Sequence, residues 1–280
     1  MTYPLRTTCL LLLGLAALPA QEPEGKKPPA TKPKAEAQAD KERQKEQEKL
    51  MRKDPAILAL DKFLARNKVD TKAAGWRQRL QAPPLVPFDD KTEYFWHLET
   101  SKGEIVVRLF PDTAPMHVTV GMYLSRLGFY DGLKFHRVIK GFMAQGGCPL
   151  GSGGGGPGFT IDGEFFGTRK HDKPGILSTA NTGMPKTDGS QFFLTFVPTP
   201  HLDGKHTIWG EIVDGMEALK GLEAAGTKGG TDMAEPPQIV RTWISLAKKQ
   251  KAGKDDKDDG DGGKGEAGER DAADDGKRAD

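Results

Sequence analysis

The residues with the clearest chemical potential lie in one short stretch, 135–147, which reads FHRVIKGFMAQGG. Arg137 stands there among aromatic, methionine and glutamine side chains, on a segment that alternates as a strand does. Two further dense stretches follow, SQFF at 190–193 and LDGKH at 202–206. Together they predict an apolar pocket with a guanidinium at its mouth and no obvious nucleophile. Such a pocket suits a substrate that has an apolar ring next to a backbone carbonyl.

These three stretches and a fourth, GILSTAN at 175–181, resemble the signature blocks of the cyclophilin family of peptidyl-prolyl cis–trans isomerases. The blocks stand in the family's order and at similar spacing, and the resemblance covers residues 94–246. It implies a mainly β fold, a closed eight-stranded antiparallel β-barrel capped by two α-helices. It also implies a proline-binding groove on the outer face of the barrel, with rotation about X–Pro bonds as the reaction.

Rotation about a peptide bond needs no acid, base or metal, because no covalent bond breaks. The barrier of ~18–20 kcal/mol is resonance across the C–N bond, and uncatalysed X–Pro bonds exchange slowly. A catalyst can hold the proline ring in an apolar pocket and stabilise the twisted amide, whose nitrogen becomes pyramidal and basic. A guanidinium suits this task, since its donors are rigid and it stays charged at any working pH.

The resemblance implies a role for each residue of the blocks. Arg137 becomes the catalytic group that meets the twisted amide, while Gln145 and Gln191 orient the guanidinium and the substrate backbone. Ala180 and Asn181 bind the peptide that precedes the proline. The remaining residues are implied to wall the proline pocket: Phe142, Met143, Phe193, Leu202 and, at its edge, His206. The residue types alone also allow plain core packing for the apolar ones and a surface ion pair for the arginine.

The chain departs from the family pattern at two places. Drug-sensitive members carry a tryptophan where this chain has His201. A histidine offers less apolar area, so we expect His201 to line the groove but to bind cyclosporin weakly. In the first helix of the domain the family often has Asn-Phe where this chain has Val-Gly at 120–121, so a core ring is lost. We expect Met122, Tyr123 or Trp76 to fill the space.

The elements that must carry these residues are predicted from periodicity and caps. One helix is expected to have Pro115 in its first turn and to stop before Gly128. A second is expected to be capped by Asp214, with Glu217 completing a capping box, and to stop by Gly226. Short apolar or alternating runs predict strands at 94–100, 104–109, 133–139, 142–146, 192–196, 206–212 and 239–246. Many short strands with Gly-rich turns favour a closed barrel over a βαβ sheet.

The two ends of the chain differ in composition from the isomerase-like domain, which is predicted to span 91–247. Residues 1–20 combine a basic residue, a short apolar run and a small residue at the end, the pattern of a cleaved signal peptide. An uncleaved membrane anchor is the alternative. Residues 21–54 and 248–280 are dominated by charged residues with Pro, Ala or Gly, and are predicted to be disordered or weakly helical linker and tail.

An island of apolar residues, 55–90, lies between the N-terminal tail and the domain. Its apolar residues recur at helical spacing, with Asp54 as the expected N-cap and Pro55 as the first helical residue. A second short segment carries Trp76, and prolines then form a stiff joint. Because so short a segment cannot hold a core of its own, we expect this helical extension to pack on the domain.

Composition and the remaining motifs narrow the classes of function. The formal net charge of +2 gives no reason to expect nucleic acid or an anionic membrane as a partner. No apolar run is long enough for a membrane span, so none should remain after cleavage. The GSGGGG run at 151–156 fits a dinucleotide pattern, but proline follows it where a helix should. No helix puts His201 and His206 on one face and no cysteine or acidic cluster joins them, so we expect neither a metal nor another cofactor.

Two kinds of nucleophile are also weighed and set aside. Ser178 and Ser190 have neither an elbow motif nor an evident base and acid nearby, so hydrolysis is not predicted. Cys148 is the one thiol left once the leader is removed, which rules out an intramolecular disulfide. We interpret Cys148 as a small packing residue.

The sequence therefore predicts an exported, periplasmic or secreted prolyl isomerase, a monomer that acts on proline-containing polypeptides and assists their folding. The alternative from another class is a proline-peptide binding module or holdase chaperone with little turnover. An intact Arg137 favours the enzyme, since a mere binder could tolerate its loss. A third alternative, a surface scaffold that works through charged tails, explains none of the groove residues.

Overall fold

The computed structural model describes residues 34–165 and 167–249. The predicted signal peptide, the first part of the predicted linker and the C-terminal tail beyond residue 249 lie outside this range. The chain divides into two compact units, 1–44 and 45–280. The first unit contributes the beginning of helix α1, Lys34–Met51, to the description. The other elements belong to the second unit.

The second unit alternates short strands with a few helices. Its helices are α2 (Pro55–Arg66), α3 (Pro115–Arg126) and α4 (Met216–Ala225), with short 3-10 turns at Trp76–Gln78 and Pro200–Leu202. Its strands are β1 (Thr92–Thr100), β2 (Gly103–Leu109), β3 (Arg137–Ile139), β4 (Met143–Gly146), β5 (Ile176–Thr179), β6 (Phe192–Thr195), β7 (Ile208–Asp214) and β8 (Ile239–Lys248). Within the described residues, no helix has the length and apolar character that crossing a membrane requires.

The strands form one antiparallel sheet in the order β3-β4-β6-β5-β7-β2-β1-β8. The prediction of a closed barrel is wrong, because β3 and β8 end this order and no ladder joins them. The prediction of two capping helices plus a helical extension also falls short, since the described residues contain four α-helices. The additional helix, α1, lies in the segment whose composition predicted disorder or weak helicity.

Two local features keep β3 and β8 from pairing. Pro236 and Pro237 precede β8, and proline has no N–H with which to extend a ladder. The residues just before β3 reach the start of β8 through an isolated bridge, between Lys134 and Gln238, and a few backbone hydrogen bonds, but β3 itself forms no ladder with β8. The outer edge of β3 is bonded instead by the loop after α4, where the Gly230 carbonyl accepts from the Val138 N–H at 2.7 Å. The sheet is therefore interrupted where a barrel would have closed.

Helices α3 and α4 lie where the sequence predicted helices, but the start of α4 differs. Its N-cap is Gly215, which has φ of 90° and makes no side-chain cap hydrogen bond. Asp214 is the last residue of β7, so the predicted capping box does not form. A Cβ at Gly215 would collide with the Glu104 carbonyl, so only glycine fits this sharp turn.

The core is built around stacked and edge-on aromatic rings. Trp96 contacts Tyr130, Phe192 and Trp209, with ring centroids 4.9–5.3 Å apart. Trp209 also fills the space beside Gly121, because a Cβ built there would lie 2.6 Å from Trp209 Cζ3. The expectation that Met122, Tyr123 or Trp76 fills this space is wrong. The filling ring comes from β7, far along the chain.

The helical extension packs on the domain, as expected. Asp54 caps α2, since its Oδ1 accepts from the Ile57 N–H at 3.0 Å. The apolar face of α2, with Ile57 and Leu60, is buried in the same core cluster as the sheet. Phe63 meets Tyr123 of α3 edge-on, with centroids 5.5 Å apart. The extension therefore shares the core of the second unit.

Candidate functional site

Arg137, Gln145 and Phe193 lie in one row across three neighbouring strands. Arg137 of β3 is in register with Gln145 of β4, which is in register with Phe193 of β6. Directly opposed residues of antiparallel strands share one face of the sheet, so these three side chains are neighbours. Arg137 is half-buried, and its Nη1 donates to Gln145 Oε1 at 3.4 Å. The sheet register thus puts the guanidinium and the Phe193 ring on one face of the sheet, with Gln145 between them.

A relay of side-chain amides continues from Arg137. Gln145 Nε2 donates to Gln191 Oε1 at 3.0 Å. Gln191 Nε2 in turn donates to the carbonyls of Gly153 and Gly155, at 2.7 and 2.8 Å. These bonds fix which end of each amide faces Arg137, so that an acceptor oxygen points at the guanidinium. The Gly-rich loop that only resembled a dinucleotide motif serves here to hold Gln191.

The apolar part of the site comes from β4, β6 and two loops. Met143 and Phe193 are buried, and Phe193 meets His206 edge-on at 5.5 Å between centroids. His206 Nδ1 lies 3.0 Å from the Thr179 carbonyl, which fixes the imidazole. Phe142 is half-buried and stacks on the exposed His201, with centroids 5.6 Å apart. His201 therefore contacts Phe142, another predicted pocket residue.

The remaining predicted residues lie on the loops that flank β5 and β7. The Ala180 N–H donates to the Gln191 carbonyl at 3.0 Å. Asn181 Nδ2 donates to the Lys205 carbonyl at 3.0 Å, and Leu202 is half-buried in the adjacent 3-10 turn. Asn181 and His206 also share a cavity of about 890 Å³. The loop residues are thus tied to the strand row through Gln191 and His206.

His136, beside Arg137, completes the electrostatics of the site. Its ring nitrogens are buried and have no hydrogen-bond partner. Burial and the neighbouring Arg137 charge both lower the pKa of His136, which keeps the imidazole neutral near pH 7. The positive charge at this position therefore belongs to Arg137.

His171 is a residue of the site that sequence reasoning missed. The imidazole is fully buried and stacks on Phe193 with an interplanar angle of 13°. His171 Nδ1 lies 2.9 Å from Asp203 Oδ1, and Nε2 lies 3.0 Å from Ser178 Oγ. Burial lowers the pKa of His171 more than Asp203 raises it. A lone histidine in a charged loop gives no periodic signal that could have revealed this support.

The expectation that Ser178 has no base and acid nearby is wrong. Ser178, His171 and Asp203 form a serine–histidine–aspartate arrangement. Ser178 is fully buried, however, and its Oγ also lies 2.9 Å from the Thr207 carbonyl. A nucleophile must reach the substrate carbonyl, and this hydroxyl has no exposed surface. The arrangement therefore supports the wall behind Phe193 and offers no hydrolytic centre.

Comparison with known proteins identifies the family. The model of the family described as cyclophilin type peptidyl-prolyl cis-trans isomerase/CLD matches residues 95–244. The chain belongs to this family. The match covers the whole sheet except the ends of β1 and β8, and it contains each residue of the candidate site.

Curated relatives carry the same family name. A peptidyl-prolyl cis-trans isomerase-like 2 of Cryptococcus neoformans is 46% identical over 162 residues, which are 55% of this chain and 28% of that protein. A peptidyl-prolyl cis-trans isomerase of Helicobacter pylori is 49% identical over 124 residues, 44% of this chain and 76% of that protein. The chain therefore spans under a third of the first of these relatives.

Solved structures agree with the fold. A crystal structure of a Cryptosporidium parvum cyclophilin type isomerase, determined in the presence of the dipeptide Ala-Pro, is 35% identical and has a TM-score of 0.51. It covers 54% of this chain and 98% of its own. A second structure of that protein gives a TM-score of 0.52 at 33% identity, over 56% of this chain and 99% of its own. The cyclophilin-type domain thus accounts for about half of the chain.

Proposed function

We propose that this chain accelerates cis–trans rotation of X–Pro bonds in polypeptides, with Arg137 as the catalytic residue. The observation that carries the proposal is the placement of the Arg137 guanidinium, bonded to Gln145 and in one row with Phe193. An apolar wall can take the proline ring while the guanidinium meets the adjacent amide. The family to which the chain belongs and the names of its relatives support the same reaction.

The chemistry follows from where charge and basicity develop. As the C–N bond twists, the amide nitrogen becomes pyramidal and basic, and it gains a lone pair that a donor can meet. Arg137 supplies donors that keep their charge at any working pH, and partial burial strengthens their interaction with that lone pair. The Gln145 oxygen removes rotational freedom from the guanidinium before substrate arrives. The donor is therefore preorganised, which is how such groups lower a barrier most.

The substrate class is proposed to be proline-containing polypeptides. A related isomerase was crystallised in the presence of Ala-Pro, a dipeptide that contains the bond in question. In this chain the proline ring would lie against Phe193 and Met143, and the preceding residues would run along Ala180 and Asn181. The Ala180 N–H donates to the Gln191 carbonyl, so the backbone at Ala180 is held in place and can align an extended peptide.

Export and a role in folding form part of the proposal. The pattern at 1–20 supports export to a periplasm or the exterior, where newly translocated chains contain X–Pro bonds that have not reached their native isomer. Action as a monomer is part of the same proposal. Intact-protein mass spectrometry of the secreted protein would show whether the first twenty or so residues are removed.

The decisive test of activity is exchange spectroscopy on a short X–Pro peptide with purified full-length protein. The proposal expects magnetisation exchange between the cis and trans proline signals at catalytic protein concentration, far faster than the tens of seconds of the uncatalysed reaction. Peptide that binds without accelerated exchange would overturn the proposal and would establish the binding-module alternative.

A further inference from the structure

The helical extension reaches the candidate site through a short segment, residues 76–80. Arg77 anchors this segment to the turn that follows α3. Its Nε donates to the Phe129 carbonyl at 2.7 Å, and its Nη2 donates to the Asp131 carbonyl at 2.8 Å. The guanidinium also lies 5.0 Å from the centre of the Trp76 ring. One side chain therefore fixes the segment to the domain at two backbone points.

The far end of the segment meets the loop that follows the Gly-rich run. The Leu80 N–H donates to the Pro157 carbonyl at 2.9 Å, and Leu80 is 5% exposed. Gly158 has φ of +97°, and a Cβ there would lie 2.6 Å from the Gln78 carbonyl oxygen. Two backbones thus approach each other so closely that only glycine fits between them. The hydrogen bond and the close backbone packing together form a junction between residues 78–80 and residues 157–158.

This junction is adjacent in sequence and in space to the groups that hold Gln191. Pro157 directly follows the loop whose Gly153 and Gly155 carbonyls accept from Gln191 Nε2. Its Cδ also lies 3.3 Å from the point where a Cβ of Gly189 would stand. Pro157 therefore directly follows the accepting loop and lies close to Gly189, in the chain leading into β6.

We propose that the Arg77 side chain and the backbone of residues 78 and 80 form a positioning segment for the isomerase reaction, with Arg77 as its anchor. The segment fixes the loop at 151–157, the loop carbonyls orient the Gln191 amide, and Gln191 orients Gln145 and through it Arg137. Arg77 touches no substrate and acts only through this chain of contacts. The inference rests on the proposed function for its kinetic consequence, whereas its structural part concerns the Gln191 amide alone.

The test compares two arginines of the same segment in the full-length protein. Arg77→Ala removes the anchor, and Arg79→Ala is the matched control, because Arg79 is exposed and bonds the Ala74 carbonyl within the extension. The side-chain NH₂ signals of Gln191 are assigned by their loss in Gln191→Ala. We expect these signals to move in Arg77→Ala and to stay unchanged in Arg79→Ala.

The kinetic arm uses a double-mutant cycle. Arg77→Ala should lower kcat/KM for a proline peptide by about tenfold, the scale of a displaced positioning group, while Arg79→Ala should change it by less than about twofold. In the Gln191→Ala background the effect of Arg77→Ala should fall below about twofold, because the two residues act in one path. Unfolding by urea, followed in parallel, keeps loss of fold separate from loss of positioning.

Two results would overturn the inference. The first is that the Gln191 signals do not move in folded Arg77→Ala. The second is that Arg77→Ala still lowers kcat/KM by about tenfold in the Gln191→Ala background. If Arg77→Ala fails to fold, Gly158→Ala displaces the same junction from the other side and must move the Gln191 signals. An inactive wild-type chain would overturn the proposed function, but moved Gln191 signals would still confirm that the segment positions this amide.

Discussion

At the scale of single residues, the proposed function depends on a charged donor whose orientation is fixed by its neighbours. Arg137 takes its orientation from Gln145, and Gln145 takes its own from Gln191. Each amide has one oxygen and one NH₂ group. Once the Gly153 carbonyl accepts from the Gln191 NH₂ group, the direction of every hydrogen bond in the relay is therefore fixed. A lysine in place of Arg137 would keep the charge but would lose the planar fork that the relay orients.

His201 offers the sharpest residue-scale prediction about ligand choice. Its imidazole stacks on Phe142 and is exposed, so it presents a small, partly polar surface to a macrocycle. We expect peptide isomerisation with weak cyclosporin inhibition. His201→Trp should tighten the drug by at least about tenfold, since ~1.5 kcal/mol of added apolar burial is enough for that factor. Peptide turnover should change little.

Inhibitor titration of both proteins in the same exchange assay checks this expectation. Phe142→Leu serves as the matched control for a general loss of the apolar surface. Tight inhibition of the unmodified chain would show that His201 does not occupy the drug-contacting position. An unchanged inhibition constant in His201→Trp would lead to the same conclusion.

The residue roles were open to sequence reasoning to very different degrees. The motif residues of the relay could be named because their types and order are distinctive. Their geometry could not, because it depends on the register of β4 against β3 and β6. His171 stayed hidden, since its function lies in stacking on Phe193 across the fold and its sequence neighbours are ordinary charged residues. Long-range packing leaves no local mark on a sequence.

At the scale of elements, helix α3 contains Gly121, and the packing of a neighbouring ring explains why this position is a glycine. Gly121 should be the weak point of the helix, because alanine is intrinsically favoured there by ~1 kcal/mol. A Cβ at this position would nevertheless lie 2.6 Å from Trp209 Cζ3, and Trp209 is buried. Overpacking a core typically costs ~1–3 kcal/mol, which outweighs the gain in propensity.

We therefore expect Gly121→Ala to lower the free energy of unfolding by about 1–2 kcal/mol, despite the better helix former. Urea unfolding of both proteins measures this. Gly156→Ala provides the matched control, since nothing lies within 4 Å of a Cβ built there and its φ is not in the left-handed region. A stabilised Gly121→Ala protein would show that Trp209 does not fill the space beside α3.

The first turn of α3 also holds a buried charge. His117 lies between two carboxylates, with Nδ1 2.7 Å from Glu164 Oε2 and Nε2 2.9 Å from Asp188 Oδ2. Both ring nitrogens face carboxylate oxygens, an arrangement that favours the charged imidazole with a proton on each nitrogen. Burial opposes that charge, but hydrogen bonds and charges from Asp188 and Glu164 outweigh it and raise the pKa of His117.

The sign of the pH dependence follows from this raised pKa. The stabilisation by charged His117 is fully present below the ordinary histidine pKa of about 6.5 and is lost as the pH rises through the higher folded value. We expect the difference in unfolding free energy between wild type and His117→Gln to be larger at pH 6 than at pH 9. Urea unfolding at both values measures it. A difference that does not change with pH would contradict the charged pair.

Element prediction from sequence succeeded where the pattern was local. The Asp54 cap and the limits of α3 could be predicted, because caps and prolines act within a turn. Strand β5 was not among the predicted strands, since its four residues are all buried and show no alternation. The Asp214 cap failed because the turn from β7 into α4 must pass the backbone of Glu104, which demands Gly215. This requirement for glycine comes from a tertiary contact, which the local sequence does not show.

At the scale of the whole molecule, the largest error of the sequence-based prediction was the closed barrel, because the sheet does not close. A barrel needs β3 to pair with β8, and whether two edges separated by so much chain meet is not a local property. The prolines before β8 are visible in the sequence and argue against a ladder there. The competing partner of β3, the loop at 227–230, could be found only from the folded chain.

The central claim is that one oriented guanidinium makes this groove an isomerase. Exchange spectroscopy on an X–Pro peptide, with peptide affinity measured on the same samples, compares wild type with Arg137→Ala and Arg137→Lys. Arg241→Ala, an exposed arginine on β8 at the other end of the sheet order, is the matched control. We predict that Arg137→Ala lowers the exchange rate by about 10²-fold or more, that lysine restores it poorly, that both variants still bind peptide, and that Arg241→Ala behaves as wild type. Undiminished exchange in folded Arg137→Ala would contradict it.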